Sequence, residues 1–209
     1  MSVTYNRFAG QSLERIAALS DGLFAIAMTL LVLDLHVPVR DAVHSEGDLL
    51  GALVALVPRF VPYFMSFLTL GIFWVGQQTQ IGHFARSDRN LAWIHLGFLL
   101  VVSLMPFSTG LLAEFITFRI ALVAYWLNIL LLGVTLFASW RYALHAGLVR
   151  DDVTSDMKSA VEMRIVIAQS LYAVGALLCL INTYVSIAVI VLVQLNYIIA
   201  PRIRPLYHL

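Results

Sequence analysis

Six stretches of this chain, at about residues 14–37, 49–77, 90–113, 117–140, 160–181 and 184–200, are apolar over roughly the length that carries a helix across a bilayer. Few folds are open to such a chain. Hydrocarbon offers no partner for backbone amides and carbonyls, so a spanning segment must be a helix or part of a closed barrel. The runs lack the period-two alternation of barrel strands, and they therefore predict an all-α polytopic membrane protein with six transmembrane helices. With 61% hydrophobic and only 12% charged residues among 209, the chain is too apolar for a soluble domain of this size. Little chain is left between the runs, so residues 1–209 read as a single six-helix transmembrane domain. The first run is too long for a cleavable signal peptide, contains Asp21 and lacks a small-residue cleavage site. The single cysteine, Cys179, excludes an internal disulfide and argues against a cysteine-based metal site.

Six spans put the N-terminus, the loops after spans two and four, and the C-terminus on one side. That side carries Arg7, Arg86, Arg89, Arg141, Arg150, Lys158, Arg202 and Arg204, against chiefly Arg40 and Arg119 opposite. By the positive-inside rule both termini are expected in the cytoplasm.

The first run holds Arg15, Ser20 and Asp21 in its first half. A charged side chain within a spanning helix costs ~3 to over 10 kcal/mol, so such residues face protein or water and pair with one another. At ~100° per residue with Arg15 as zero, Leu19 lies near 40°, Gly22 near 340°, Ile26 near 20°, Thr29 near 320°, Leu30 near 60° and Leu33 near 0°, forming one stripe. Ser20, near 140°, and Asp21, near 240°, fall on opposite flanks of it at the same ~100° step. Polar or small residues on three faces predict a helix enclosed on several sides. Within a symmetric assembly, Ile26, Leu30 and Leu33 would stack as apolar rings over about 10 Å, with Thr29 the only hydroxyl on the stripe. In a packed monomeric bundle the same three would simply be core.

Other polar positions are fewer. Pro58 and Pro62 predict a kink near the outer end of the second span, where Arg59 is expected to snorkel outward in preference to facing the interior. Trp74 reads as an interface anchor, and Gln77, Gln78 and Gln80 as residues reaching the cytoplasmic interface. His95 stands at the depth of Ser20 and Asp21, either bonding to a neighbouring helix or meeting that cluster. Pro106 is expected to bend the outer third of the third span, and Asn128 to bond across helices. The last two spans form a hairpin around Ile181-Asn182-Thr183 with few polar groups, which suits a peripheral, lipid-facing position. His36 and His44 lack close metal-ligand spacing.

No G-x-S-x-G, H-E-x-x-H, phosphate-binding glycine loop or C-x-x-C is present, which argues against an enzyme. A secondary transporter would show broken helices or internal repeats meeting at mid-membrane. As a channel, six spans per subunit could assemble around a symmetric axis, although no TVGYG-like filter stands between spans.

Arg15-Ile-Ala-Ala-Leu19-Ser20-Asp21 and the run GLFAIAMTLLVLDL after it resemble the R-x-x-x-F-S-D signature on the first helix of the transmembrane protein 175 potassium-channel family, particularly its prokaryotic members. Ser66-Phe67-Leu68, Phe73-Trp74, the Leu91 to Leu100 run and Pro106-Phe107 extend the match. Leu19 replaces the usual Phe, and Gln77 and Gln78 stand where one or two His are usual. The resemblance implies a homotetramer without a P-loop in a prokaryotic plasma membrane, its partners the lipid bilayer and its own copies, with no nucleic acid. It further implies a potassium-preferring cation channel with no cofactor and no bound metal other than permeating potassium near Ile26 and Thr29. Ile26, Leu30 and Leu33 would form the constriction, Thr29 would contribute to selectivity, and Arg15, Ser20, Asp21, Trp74 and His95 would form a structural polar network. The runner-up reading is a proton- or cation-coupled secondary transporter working through Asp21 or His95.

Overall fold

The computed structural model describes residues 12–199, so Arg7, Arg202 and Arg204 of the charge asymmetry lie outside the described residues. Helix α1 spans Leu13–Leu30, capped by the Ser12 hydroxyl accepting from the Arg15 amide, and tightens into a 3-10 turn over Leu31–Asp34. Helix α2, Glu46–His83, starts at Ser45, whose hydroxyl accepts from the Asp48 amide. Asp88 caps α3, Arg89–Ser103, and Thr154 caps α6, Ser155–Leu177, in the same way. Between them come α4, Met105–Glu114, and α5, Arg119–His145. The chain of described residues closes with α7, Thr183–Ile199. Among the described residues five segments are long and apolar enough to cross a membrane, α3 and α4 counting as one, and the 17-residue α7 is a shorter sixth.

The bend expected near Pro106 is present: α3 stops at Ser103, and α4 begins at Met105 with the proline in its first turn, where a missing amide costs nothing. No such interruption occurs in α2, which is assigned as one 38-residue helix through Pro58 and Pro62. At ~1.5 Å per residue it is about 57 Å long, well beyond a ~30 Å hydrocarbon core. Arg59 does not simply snorkel; its Nη2 lies 2.5 Å from Glu114 Oε2, clamping α2 to the end of α4 at a half-exposed edge.

At the other end of the bundle the two connections α2–α3 and α5–α6 are stitched together. Phe84 pairs with Val149 in an isolated antiparallel bridge, the Ala85 amide donating to Leu148 O at 2.8 Å and the Arg150 amide to His83 O at 3.0 Å. Both loops assigned to one side by charge thus meet on one side.

The core is built from Phe24, Leu70, Phe98, Leu122, Ile129 and Ile190 among others, with α5 at its centre. Through it runs a chain of buried hydroxyls: Thr109 Oγ1 is 2.6 Å from Ser66 Oγ, which donates to Tyr125 Oη at 3.3 Å, and Tyr125 Oη is 3.2 Å from Thr69 Oγ1. Asn128 bonds across helices as expected, donating to Ser108 Oγ at 3.2 Å. The hairpin is peripheral as expected, with many exposed apolar side chains on α6 and α7, but one face of α7 is docked into this chain. Gln194 is fully buried and its amide donates to Thr69 Oγ1 at 2.6 Å and to Met65 O at 3.1 Å, while Ser186 Oγ donates to Gly175 O at 2.6 Å. A scarcity of polar groups misleads here, because a single amide in hydrocarbon must find a partner and so dictates which way its helix faces.

Candidate functional site

Helix α1 has two unlike faces. Ser20, Phe24, Ala27 and Leu31 are buried, and at ~100° per residue they fall near 140°, 180°, 120° and 160° from Arg15. This side packs on α2 and α3, with the Phe24 and Phe98 ring centroids 5.9 Å apart. The opposite side carries Leu19, Gly22, Ile26, Thr29, Leu30 and Leu33 and is exposed among the described residues: Ile26 is 57% exposed, Leu30 43% and Leu33 66%. The expectation of a helix enclosed on several sides does not hold within one chain. Two neighbours suffice to bury the Ser20 face, and the bare face is left for something outside the protomer.

The 3-10 turn alters the predicted stack. Its ~120° step brings residues three apart into register, so Leu33 eclipses Leu30 instead of returning to the Ile26 line. Between them and Ile26, the Thr29 hydroxyl donates to Ile26 O at 2.8 Å. With its proton committed to the backbone, that oxygen presents only lone pairs to the exposed side, as a cation contact requires.

Below this stripe two flanks of α1 are bonded to one helix. Asp21 Oδ1 accepts from Trp74 Nε1 at 2.7 Å and from Gln78 Nε2 at 2.6 Å. Ser20 Oγ donates to Ile16 O at 2.9 Å and accepts from Gln77 Nε2 at 2.8 Å. Trp74 and Gln78 are four residues apart, one above the other on α2, which is why a single carboxylate oxygen can take both donors. Gln77 and Gln78 were read as interface residues; they are instead the partners of Ser20 and Asp21. The 74/78 spacing opposite a lone carboxylate was the signal available for finding them.

Two residues assigned to the network stand apart from it. Arg15 is exposed, and its guanidinium has no hydrogen bond or ion pair among the described residues. Six positions separate it from Asp21, which places the two on different sides of α1. His95 is 2% exposed; its Nδ1 is 3.0 Å from Leu91 O in its own helix, its ring lies edge-on to Phe84 at 6.2 Å, and its Nε2 has no partner among the described residues. Neither nitrogen is bonded to Ser20 or Asp21, so the imidazole neither joins the cluster nor bridges to a neighbouring helix.

Residues 15–106 match the family model described as the endosomal/lysosomal potassium channel TMEM175. A potassium channel of Streptomyces collinus is 32% identical over 88% of this chain and 90% of its own length. Another, from Chamaesiphon minutus, is 31% identical over 84% of this chain and 88% of its own length. The human endosomal/lysosomal proton channel TMEM175 is 36% identical over 46% of this chain, which corresponds to only 20% of the human protein. Among solved structures, the crystal structure of a lysosomal potassium-selective channel TMEM175 homologue from Chamaesiphon minutus aligns with a TM-score of 0.79 and 27% identity, covering 91% of this chain and 98% of that one. The segment matched by the family model covers α1 from Arg15 onward, α2 and α3, and with them every residue that holds Ser20 and Asp21.

Proposed function

Because this chain belongs to the TMEM175 potassium-channel family, we propose that it is a potassium-preferring channel of a prokaryotic plasma membrane, formed by four copies whose α1 helices surround one pore. The family is one of ion channels, not of enzymes. The observation that carries the pore assignment is the division of α1: one face is tied to α2 and α3, while the Ile26, Thr29, Leu30 and Leu33 face is bare. A single such face cannot enclose an ion, whereas several copies around an axis would turn each exposed residue into a ring. Rings of Ile26, Leu30 and Leu33 would form an apolar constriction that conducts only when wetted, and the Thr29 oxygens would replace part of the hydration shell of a cation. Arg15, also on the bare face, would then lie at the cytoplasmic mouth with water or a neighbouring subunit.

Purified protein in liposomes under a set potassium gradient is expected to pass potassium without a second substrate. A strict requirement for a counter-transported or co-transported ion, or no flux at all, would overturn the reading.

Cytoplasmic termini follow from the arginine and lysine bias, supported by the meeting of the two connections at Phe84 and Val149. With Cys179 replaced, a cysteine introduced at the exposed Ser155 should resist an impermeant thiol reagent applied to intact cells, while one at the exposed Val37 should react. Labelling at position 155 from outside would invert the topology.

A further inference from the structure

The outer end of α1 leaves α-helical winding over four residues, the 3-10 turn Leu31–Asp34. Each step there is ~120° instead of ~100°, so by Leu33 the two windings differ by about 60°. Two side chains are moved together by that difference. Leu33 is carried off the line of Ile26 and onto that of Leu30, while Asp34 comes into register with the fully buried Leu31. Nothing in the turn itself demands this winding, since Leu-Val-Leu-Asp contains neither proline nor glycine. The reason lies on α4. The half-buried Asp34 carboxylate rests broadside on Gly110, where an added Cβ would stand 3.0 Å from Oδ2, 3.1 Å from Oδ1 and 3.2 Å from Cγ. Only a residue without a side chain leaves that seat open.

The positive groups whose charge reaches the carboxylate are His36, two residues on, and Arg59 of α2. Arg59 is in turn paired with Glu114, one turn beyond Gly110 on α4, so the seat lies beside the clamp that joins α2 to α4. Ile26 stands at the centre of the bare stripe, between Thr29 and Leu30 in angle, and a leucine on its line points where Ile26 points; one on the Leu30 line points ~40° to the side. We infer that Asp34, seated on Gly110, is a positioning residue of the conduction path: it selects the 3-10 winding, turns Leu33 aside and keeps the outer ring of the constriction wide. The inference rests on the pore reading given above. With the seat lost, the turn takes up α-helical winding, Leu33 swings about 60° back over Ile26 and the outer ring narrows.

The test combines Asp34→Cys with Gly110→Cys in a full-length Cys179→Ser parent and measures potassium flux from liposomes. A sulfur in place of Asp34 Cγ would lie 3.2 Å from the Cβ at position 110, within reach of an S–S bond of ~2.05 Å. Reduced, the pair lacks the carboxylate and should pass potassium about fivefold more slowly than the parent, the change that ~1 kcal/mol in a barrier makes. Oxidation should close a disulfide within one subunit, seat the turn again and restore the flux, and dithiothreitol should reverse the gain. Each single substitution should stay slow under oxidant. Gly110→Val, which fills the seat while Asp34 remains, should slow the flux to a similar extent with the assembly unchanged on size-exclusion chromatography. A conducting parent whose pair does not cross-link, or whose oxidised pair passes potassium no faster than the reduced one, would overturn the role of Asp34 and leave the pore reading standing; so would an assembled Gly110→Val channel that conducts as the parent does. A parent that passes no potassium would overturn the pore reading and this role with it.

Discussion

Replacing Ile26 with Asn is expected to raise potassium conductance about fivefold and to weaken discrimination against sodium. Ile26 is more than half exposed on the outward face of α1, so the substitution disturbs little packing within the subunit. In an assembled pore it would exchange a ring of hydrocarbon for a ring of amides, and a constriction that sheds water would hold it. Lowering a barrier by about 1 kcal/mol multiplies a rate about fivefold, and a hydrated ring passes sodium more readily because less of the hydration shell must be stripped. Thr29→Val tests the complementary half. It removes the oxygen whose lone pairs face outward while its proton is held by Ile26 O, and it should lower the potassium preference while leaving assembly intact. Bilayer recordings in potassium and in sodium report both variants. Were both to conduct as the parent does, α1 would not line the conduction path.

Asp21→Ala should cost more in assembly than in selectivity. One oxygen of Asp21 takes hydrogen bonds from Trp74 and Gln78 on an exposed flank of α1, and hydrogen bonds to a charged acceptor contribute about 1.5–3 kcal/mol each, the lower figure applying at an exposed site. Truncation strips both donors at once, loosens α1 from α2 and so disorders the surface on which neighbouring subunits would pack. The expected result is a loss of about 3 kcal/mol in thermal stability and a fall in tetramer yield on size-exclusion chromatography, with Asp21→Asn, which keeps an acceptor, between parent and Ala. Normal assembly with altered ion preference would place Asp21 in the permeation path instead. A double-mutant cycle separates the partners: Asp21→Ala with Trp74→Phe should show coupling of about 1 kcal/mol, and Asp21→Ala with Arg15→Gln none. Coupling between Asp21 and Arg15 of the same size would mean that the two meet across a subunit boundary.

Arg15 and His95 show where reading the chain alone misled. His95 was grouped with Asp21 because it shares its depth in the membrane, and Arg15 because the family signature carries both, but neither depth nor a shared motif fixes direction. A side chain bonds to what it points at, and the rotation of α3 about its own axis turns His95 towards Phe84. Gln77 and Gln78 were underestimated for the converse reason. Their distance from Asp21 along the chain is more than fifty residues, and no local pattern on α2 states which of its faces will meet α1.

The residues by themselves determined that this is an all-helical membrane chain, where most of its spans begin and end, where its third span breaks, and which residues of α1 share a stripe. These follow from hydrophobic length, capping side chains, proline chemistry and the turn of a helix, all of which act over a few neighbouring residues. Only the tertiary structure decided which stripe of α1 is covered and which is bare, which donors answer Ser20 and Asp21, and that Gln194 draws α7 into the core. Those outcomes depend on how helices distant in sequence rotate and pack, and burial of an amide or a carboxylate in hydrocarbon is settled by the partner it finds across that packing, not by its neighbours in the chain.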